Sequence, residues 1–216
     1  ERQSAYAFLA SLKSPEADAA IAASLEKVGS APADVRLDIL EAARARNESP
    51  VVRGPLQAWE ASLAPDDPVA RNQFALKGGD AERGRSLFFG KPEISCVRCH
   101  KIGGVGGEVG PDLSQIAKEK DRLYLLEAIV APSKSIAKNF ESVVIHDSDG
   151  RIHTGVLKAK TDETTTLLTA EGKLVEIKNA DIEEQSQGKS AMPEDLPTKM
   201  TAMELRDLVE YLSSLK

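Results

Sequence analysis

Cys96-Val97-Arg98-Cys99-His100 holds both cysteines of the chain and one of its three histidines. C-x-x-C-H is the sequence through which a c-type haem is attached. Two thiols separated by two residues on a short helical turn lie on one side of it. From there they reach the two vinyl groups of a haem and form thioethers. The adjacent imidazole then ligates the iron from the proximal side. Cys96 and Cys99 are therefore expected to hold one covalent haem c, with His100 as an iron ligand. Two other chemistries share these residue types. A closed zinc site wants four ligands; Cys96, Cys99, His146 and His153 can be written down, but the histidines lack zinc-finger spacing. A redox dithiol expects a strand before it and a helix after it, whereas here a helix precedes and a glycine loop follows.

Upstream of the motif, Asp80 caps a helix expected over 81–89, with Gly84 and Phe88 four apart on one face. Downstream, five of the fifteen glycines fall within Gly103 to Leu113. Glycine lacks Cβ, so such a loop passes close to a flat ligand. It matches neither the dinucleotide nor the P-loop pattern. A helix over 122–130 follows, with Leu123, Leu126 and Ile129/Val130 on one face, and Ala131-Pro132-Ser133 stops it. From 139 the period changes to two. Phe140 to His146 reads as a strand, Asp147-Ser148-Asp149-Gly150 as a hairpin turn, and 151–160 as the return strand. Thr164 to Thr169 and Lys173 to Lys178 make a second pair across Ala170-Glu171-Gly172. A small antiparallel sheet or barrel of four or five strands is thus expected as an insertion over about 139–188. Residues 190–200 form an irregular loop. Thr201-Ala202-Met203-Glu204 is a capping box and opens a final helix with Leu205, Leu208, Val209 and Leu212 inward.

The first 64 residues read as four helices of about 12 residues. Ser14-Pro15 and Ser49-Pro50 each set a cap residue before a first-turn proline, and Pro32 is expected to open a third segment. Ile39, Leu40 and Ala43, with Val35 and Leu37, give one apolar face; Leu56, Trp59 and Leu63 give another, with Trp59 as anchor. Two arrangements suit this pattern, a HEAT-like solenoid or a plain bundle. Residues 64–79 read as a connector. The fold expected is mainly α with a small antiparallel β insertion, a helical segment over 1–76 preceding a second domain over 77–216. At 41% apolar and 29% charged residues the composition is that of a globular protein. The net charge of −6 points away from a nucleic-acid partner, and no run of about 18 apolar residues encodes a membrane span. The chain begins with Glu and shows no secretory signal, so it reads as a mature product or a piece of a longer protein.

The order of these parts resembles a class I cytochrome c: a Gly-x-x-x-Phe helix, C-x-x-C-H, a Gly-Pro-x-Leu segment, a Met-Pro loop and a terminal helix ending in Tyr-Leu. More narrowly it resembles the haem-binding domain of the Planctomycetes–Verrucomicrobia type, which carries a β-rich insertion before a Ser-x-Met-Pro loop. The motifs are Gly110-Pro111-Asp112-Leu113, Ala131-Pro132-Ser133, Phe140-Glu141-Ser142, Ser190-Ala191-Met192-Pro193-Glu194 and 207–212, within residues 80–216. The resemblance implies a cytochrome c fold, thioethers at Cys96 and Cys99, and His100 as proximal ligand. It further implies that the Pro111 carbonyl holds the His100 ring, that Met192 is the distal ligand, and that Gly84 and Phe88 pack near Leu208 and Tyr211. The sequence distance from His100 to Met192 is long for a plain class I domain, and the insertion accounts for it.

Met200 and Met203 compete with Met192. Met203 falls in the first turn of the final helix and Met200 at its entrance, both packing positions, whereas Met192 sits in a loop fixed by Pro193. His146 or His153 as a second iron ligand is the minority reading. Arg98, Lys101 and Lys91 form either a docking patch or a solvated rim, the second being the plainer reading. The function expected is electron transfer, not catalysis by the chain itself. Its partner would be a redox protein or a fused dehydrogenase domain, and its location periplasmic or exported, where covalent haem attachment takes place. The alternative is a haem protein with an open or exchangeable distal site, sensing a gas or reacting with peroxide.

Overall fold

The computed structural model describes residues 1–216. Four helices come first: α1 (Arg2–Ser11), α2 (Pro15–Glu26), α3 (Arg36–Ala45) and α4 (Pro50–Ala61). Ser14 caps α2 by accepting from the Ala17 amide. Ser49 makes no such bond, so α4 starts on the proline at its first turn alone. Pro32 does not open α3. It lies in the preceding turn, its carbonyl accepting from the Val35 amide at 3.1 Å, and the helix begins at Arg36. Helix α1 lies against α3 and α2 against α4, as equivalent helices do in two stacked hairpins. Ile21, Leu40, Ala43 and Val52 fill the space between them without exposure.

The connector expected over 64–79 is instead structured. Asp67 caps α5 (Pro68–Asn72), accepting from the Val69 and Ala70 amides, and a 3₁₀ turn follows over Gln73–Leu76. Phe74 meets Trp59 edge-on at 4.9 Å and packs with the first helices, while Ala75 is buried with the second core. This turn therefore joins the two halves.

The second core lies between α6 (Ala81–Gly90), α8 (Arg122–Val130) and α9 (Ala202–Ser214). Between α6 and α8 come α7 (Cys96–Cys99) and a two-stranded hairpin, β1 (Lys101–Ile102) with β2 (Val105–Gly106). Both capping-box bonds of Thr201 and Glu204 are present, and Leu205, Leu208, Val209 and Leu212 are all buried. Helix α6 crosses α9 at Gly84, where a Cβ would lie 2.0 Å from the Asp207 carbonyl oxygen; only glycine admits so close an approach. Phe88 is buried one turn on, 6.1 Å from the Tyr211 ring. On α8 the inward face is Leu125, Leu126, Ile129 and Val130, and Leu123 is 51% exposed, contrary to its expected position. The polar residues of α9 tie it to three other elements. Arg206 donates to Asp38 of α3 at 2.7 and 3.3 Å, Asp207 accepts from Arg83 at 2.6 Å, and Glu210 holds Arg122 through two bonds of 2.6 Å.

The insertion is a five-stranded antiparallel sheet: β3 (Ser142–Asp147), β4 (Ile152–Lys160), β5 (Thr164–Leu168), β6 (Leu174–Lys178) and β7 (Ile182–Gln187), in the order β6-β5-β4-β3-β7. Four strands form a meander and the fifth returns beside the first. The return brings the end of β7 next to the start of β3, so the sheet begins and ends at one place. At the far end Asp147 organises the hairpin, accepting from the Asp149 and Arg151 amides and from His153 Nε2 at 2.8 Å. No helix is long and apolar enough to cross a membrane.

Candidate functional site

A cavity of about 340 Å³ opens between the motif, α8 and the loop before α9. That size falls within the roughly 300–1,000 Å³ of small-molecule sites. Helix α7 turns Cys96, Cys99 and His100 toward it. Ser95, just before, adopts a left-handed φ of 44°, a sparsely populated conformation for a residue with a Cβ. It lets the chain leave α6 and begin α7 within a few residues.

The glycine loop then folds back over the motif. The amides of Gly107 and Gly110 donate to the Val97 and Cys99 carbonyls at 2.9 and 2.8 Å. At Gly110 a Cβ would lie 2.5 Å from Cε1 of His100, so the backbone lies flat on the imidazole. The glycine expected to approach a ligand approaches the ring of the motif itself. The next residue supplies the ring's partner: the Pro111 carbonyl lies 2.9 Å from His100 Nδ1. A carbonyl only accepts, so Nδ1 carries the proton and Nε2 keeps its lone pair. Burial holds the His100 pKa below the usual imidazole range, against the smaller opposing effect of the Pro111 bond. The ring is therefore neutral, as a metal ligand must be. Burial also pushes the Cys96 thiol up to about 11 and raises that of Cys99, and the two cysteines are not joined by a disulfide.

The wall facing the motif is apolar. Ile94, Ile116, Leu125, Ile129, Leu196 and Leu212 contribute to it, with Tyr124 and Lys120 on one side and Phe140 on another. Met192 is part of this wall; Met200 and Met203 are not. Met200 packs against the second core, as Met192 also does. The five residues expected at the site, Cys96, Cys99, His100, Pro111 and Met192, thus border one cavity although 96 positions separate the first from the last in number. His146 and His153 do not border it, and nowhere do three His, Cys, Asp or Glu side chains converge as a metal site would need. The four-ligand zinc set therefore has no geometry here. Lys91 pairs with Glu204 at 2.7 Å and Lys101 with Glu108, so two of the three rim cations are engaged within the chain.

Neither a protein-family model nor a curated protein matches the chain.

Several site residues lie in motifs that the sequence offered without a role at the site. Phe140 reads as the start of a strand, but β3 begins at Ser142 and Phe140 turns to the cavity with Lys158 Nζ 4.8 Å from its ring centroid. Ser133 receives the Ser190 amide at 3.2 Å across 57 residues. Ala191 packs with Cys99 and Phe140 on a small core of Val109, Val156 and Leu168. Pairings at such separations become visible only when the sheet has folded; the motifs at 131–133, 140–142 and 190–194 gave the segments but not their contacts.

Proposed function

We propose that this chain is an electron-transfer module of the c-type cytochrome kind, akin to the class I-like haem-binding domain of the Planctomycetes–Verrucomicrobia type. Cys96 and Cys99 would hold one covalent haem c, and His100 and Met192 would ligate its iron. The observation that carries this reading is the convergence of a neutral imidazole, two unpaired thiols and one thioether on a single apolar cavity.

The residues suit a haem in three respects. The donor set is the imidazole and thioether pair of cytochromes c. The imidazole is oriented and its tautomer fixed by a backbone carbonyl, as metal-bound histidines are. The walls are apolar where a porphyrin is apolar. When bound, the haem supplies a one-electron iron couple, whose potential a thioether ligand raises. The chain's own residues do the rest. Pro111 and Gly110 hold His100 in one orientation, and Met192 brings its thioether to the same cavity, where it would serve as the second protein ligand. Ile129, Leu196 and Leu212 exclude water, a lever on the potential.

The reading brings with it a redox partner, either a separate protein or a fused dehydrogenase domain, and a periplasmic or exported location. Absorption spectra of the oxidised and reduced full chain test it, with Met192→Ala and Met200→Ala beside wild type after co-expression with haem-maturation machinery. A low-spin wild type with the weak Met-to-iron band at the red end, lost in Met192→Ala and kept in Met200→Ala, is the expected result. A five-coordinate or carbon monoxide-binding wild type would instead favour an open distal site.

A further inference from the structure

The sheet insertion packs against segments that border the cavity from both the motif and the Met192 loop. Val156 of β4 and Leu168 of β5 form one small core with Val109, which lies beside Gly110; Cys99 and Ala191 pack against the same core. Cys99 precedes His100 and Ala191 precedes Met192 in the chain, so the segments bearing both ligands rest on one ledge. The ledge is buried: Val156 has no exposure and Leu168 is 8% exposed.

The Met192 loop leaves the sheet under tight constraint. Its first residue, Gly188, donates to the Ser142 carbonyl at 2.8 Å. A Cβ at Gly188 would lie 3.1 Å from Ser142 Oγ and 3.3 Å from its carbonyl carbon, closer than the buried neighbour accommodates without moving. Ser142 cannot readily give, because it is 2% exposed and its hydroxyl donates to the Gly155 carbonyl at 3.3 Å. Beyond Gly188 the loop is closed by the Lys189–Glu194 ion pair at 2.8 Å. The Ser190 amide donates to Ser133 Oγ, and Ser190 Oγ accepts from the Met192 amide, both at 3.2 Å. Met192 is therefore fixed to the sheet by backbone on one side and to the end of α8 on the other.

We propose that the sheet is a positioning element for the sixth ligand: the Ser142–Gly188 closure and the Val156/Leu168 ledge set where Met192 stands relative to His100. This rests on the His100/Met192 reading above. Fifty residues of insertion then have a defined role, and residues far from the iron control how firmly Met192 is held.

The test is competition by imidazole for the ferric iron of the full-length holoprotein, followed by loss of the Met-to-iron band. An external ligand must displace Met192, so a loosened loop binds it more tightly. Gly188→Val and Val156→Ala are expected to tighten apparent imidazole affinity about tenfold or more while the His100-ligated spectrum is retained. Leu40→Ala, in the core of the first four helices, serves as a control that lowers melting temperature and leaves imidazole affinity at the wild-type value. If Gly188→Val does not fold, Gly188→Ala and Ser142→Ala take its place. Sheet variants that bind imidazole like wild type, or a Leu40→Ala that tightens it equally, overturn the proposal. A wild type without the Met-to-iron band defeats the ligand reading first and this inference with it; the wild-type spectrum, read before any variant, separates the two failures.

Discussion

Removing the carboxylate of Asp38 isolates a buried charge. Arg206 is 1% exposed and Asp38 8%, joined by bonds of 2.7 and 3.3 Å. Nε of Arg206 has no hydrogen-bond partner, so Asp38 is the only carboxylate hydrogen-bonded to the guanidinium, with Glu210 adding a longer-range attraction. Breaking a buried pair from one side costs about 3–5 kcal/mol, because the remaining charge stays out of water. At about 2–4 °C per kcal/mol for a chain of this size, Asp38→Ala should lower the melting temperature by roughly 6–20 °C. The double variant Asp38→Leu/Arg206→Met removes both charges and should recover most of this loss, ending near wild type or above it. Urea and thermal unfolding followed by circular dichroism measure both quantities. The pair joins α3 to α9, so the first helices and the second core should unfold in one transition. An Asp38→Ala variant losing less than about 1 kcal/mol would refute the reasoning, since it would mean that Arg206 reaches water once its partner is gone.

Gly84→Val should be among the most damaging single changes, since even its Cβ would stand 2.0 Å from the Asp207 carbonyl. Overpacking costs about 1–3 kcal/mol or more, and soluble yield with melting temperature will register it. Without a bound group, the chain should be most stable between roughly pH 6.5 and 9. As pH rises from 9.0 toward about 11, the unfolded chain loses the Cys96 proton that the folded chain keeps. Stability falls in that window by up to about 2–3 kcal/mol. As pH falls below 6.5, the unfolded chain gains a proton that buried His100 resists, and stability falls again. Denaturation midpoints of apo protein across pH 5–11 check both limbs; Cys96→Ser should flatten the alkaline one.

The helices could be read because their signals are local. Asp80, Thr201 with Glu204, and Pro15 mark starts within a turn, and the spacing of Leu205, Leu208, Val209 and Leu212 gives a face without reference to anything distant. Four strands were legible for the same reason, since alternation and turn residues are short-range. Strand β7 was not, because Ile182-Glu183-Glu184-Gln185-Ser186-Gln187 has one apolar residue and no alternation; it is a strand through backbone pairing to β3. Within residues 64–79 the short helix was not legible, because prolines and glycines that punctuate a connector also cap a short helix. Leu123 misled because a helix of nine residues leaves its inward face to be chosen by neighbours, which took Leu125. At the site, the motif flagged Cys96, Cys99 and His100 and Pro193 singled out Met192 from their own surroundings, whereas Pro111 came only through the family resemblance. The ledge of Val156 and Leu168 carries no mark, since its meaning depends on what the sheet comes to rest against.

The cavity at Cys96, Cys99 and His100 is proposed to hold one haem through two thioethers. The most direct measurement is the intact mass of the full chain, unfolded in acid and organic solvent after expression with haem-maturation machinery. The prediction is a mass increased by one haem that survives unfolding, with its reduced absorption bands, and no covalent haem in the Cys96→Ser/Cys99→Ser variant. A wild-type chain of unmodified mass under conditions that load a control cytochrome c would contradict it.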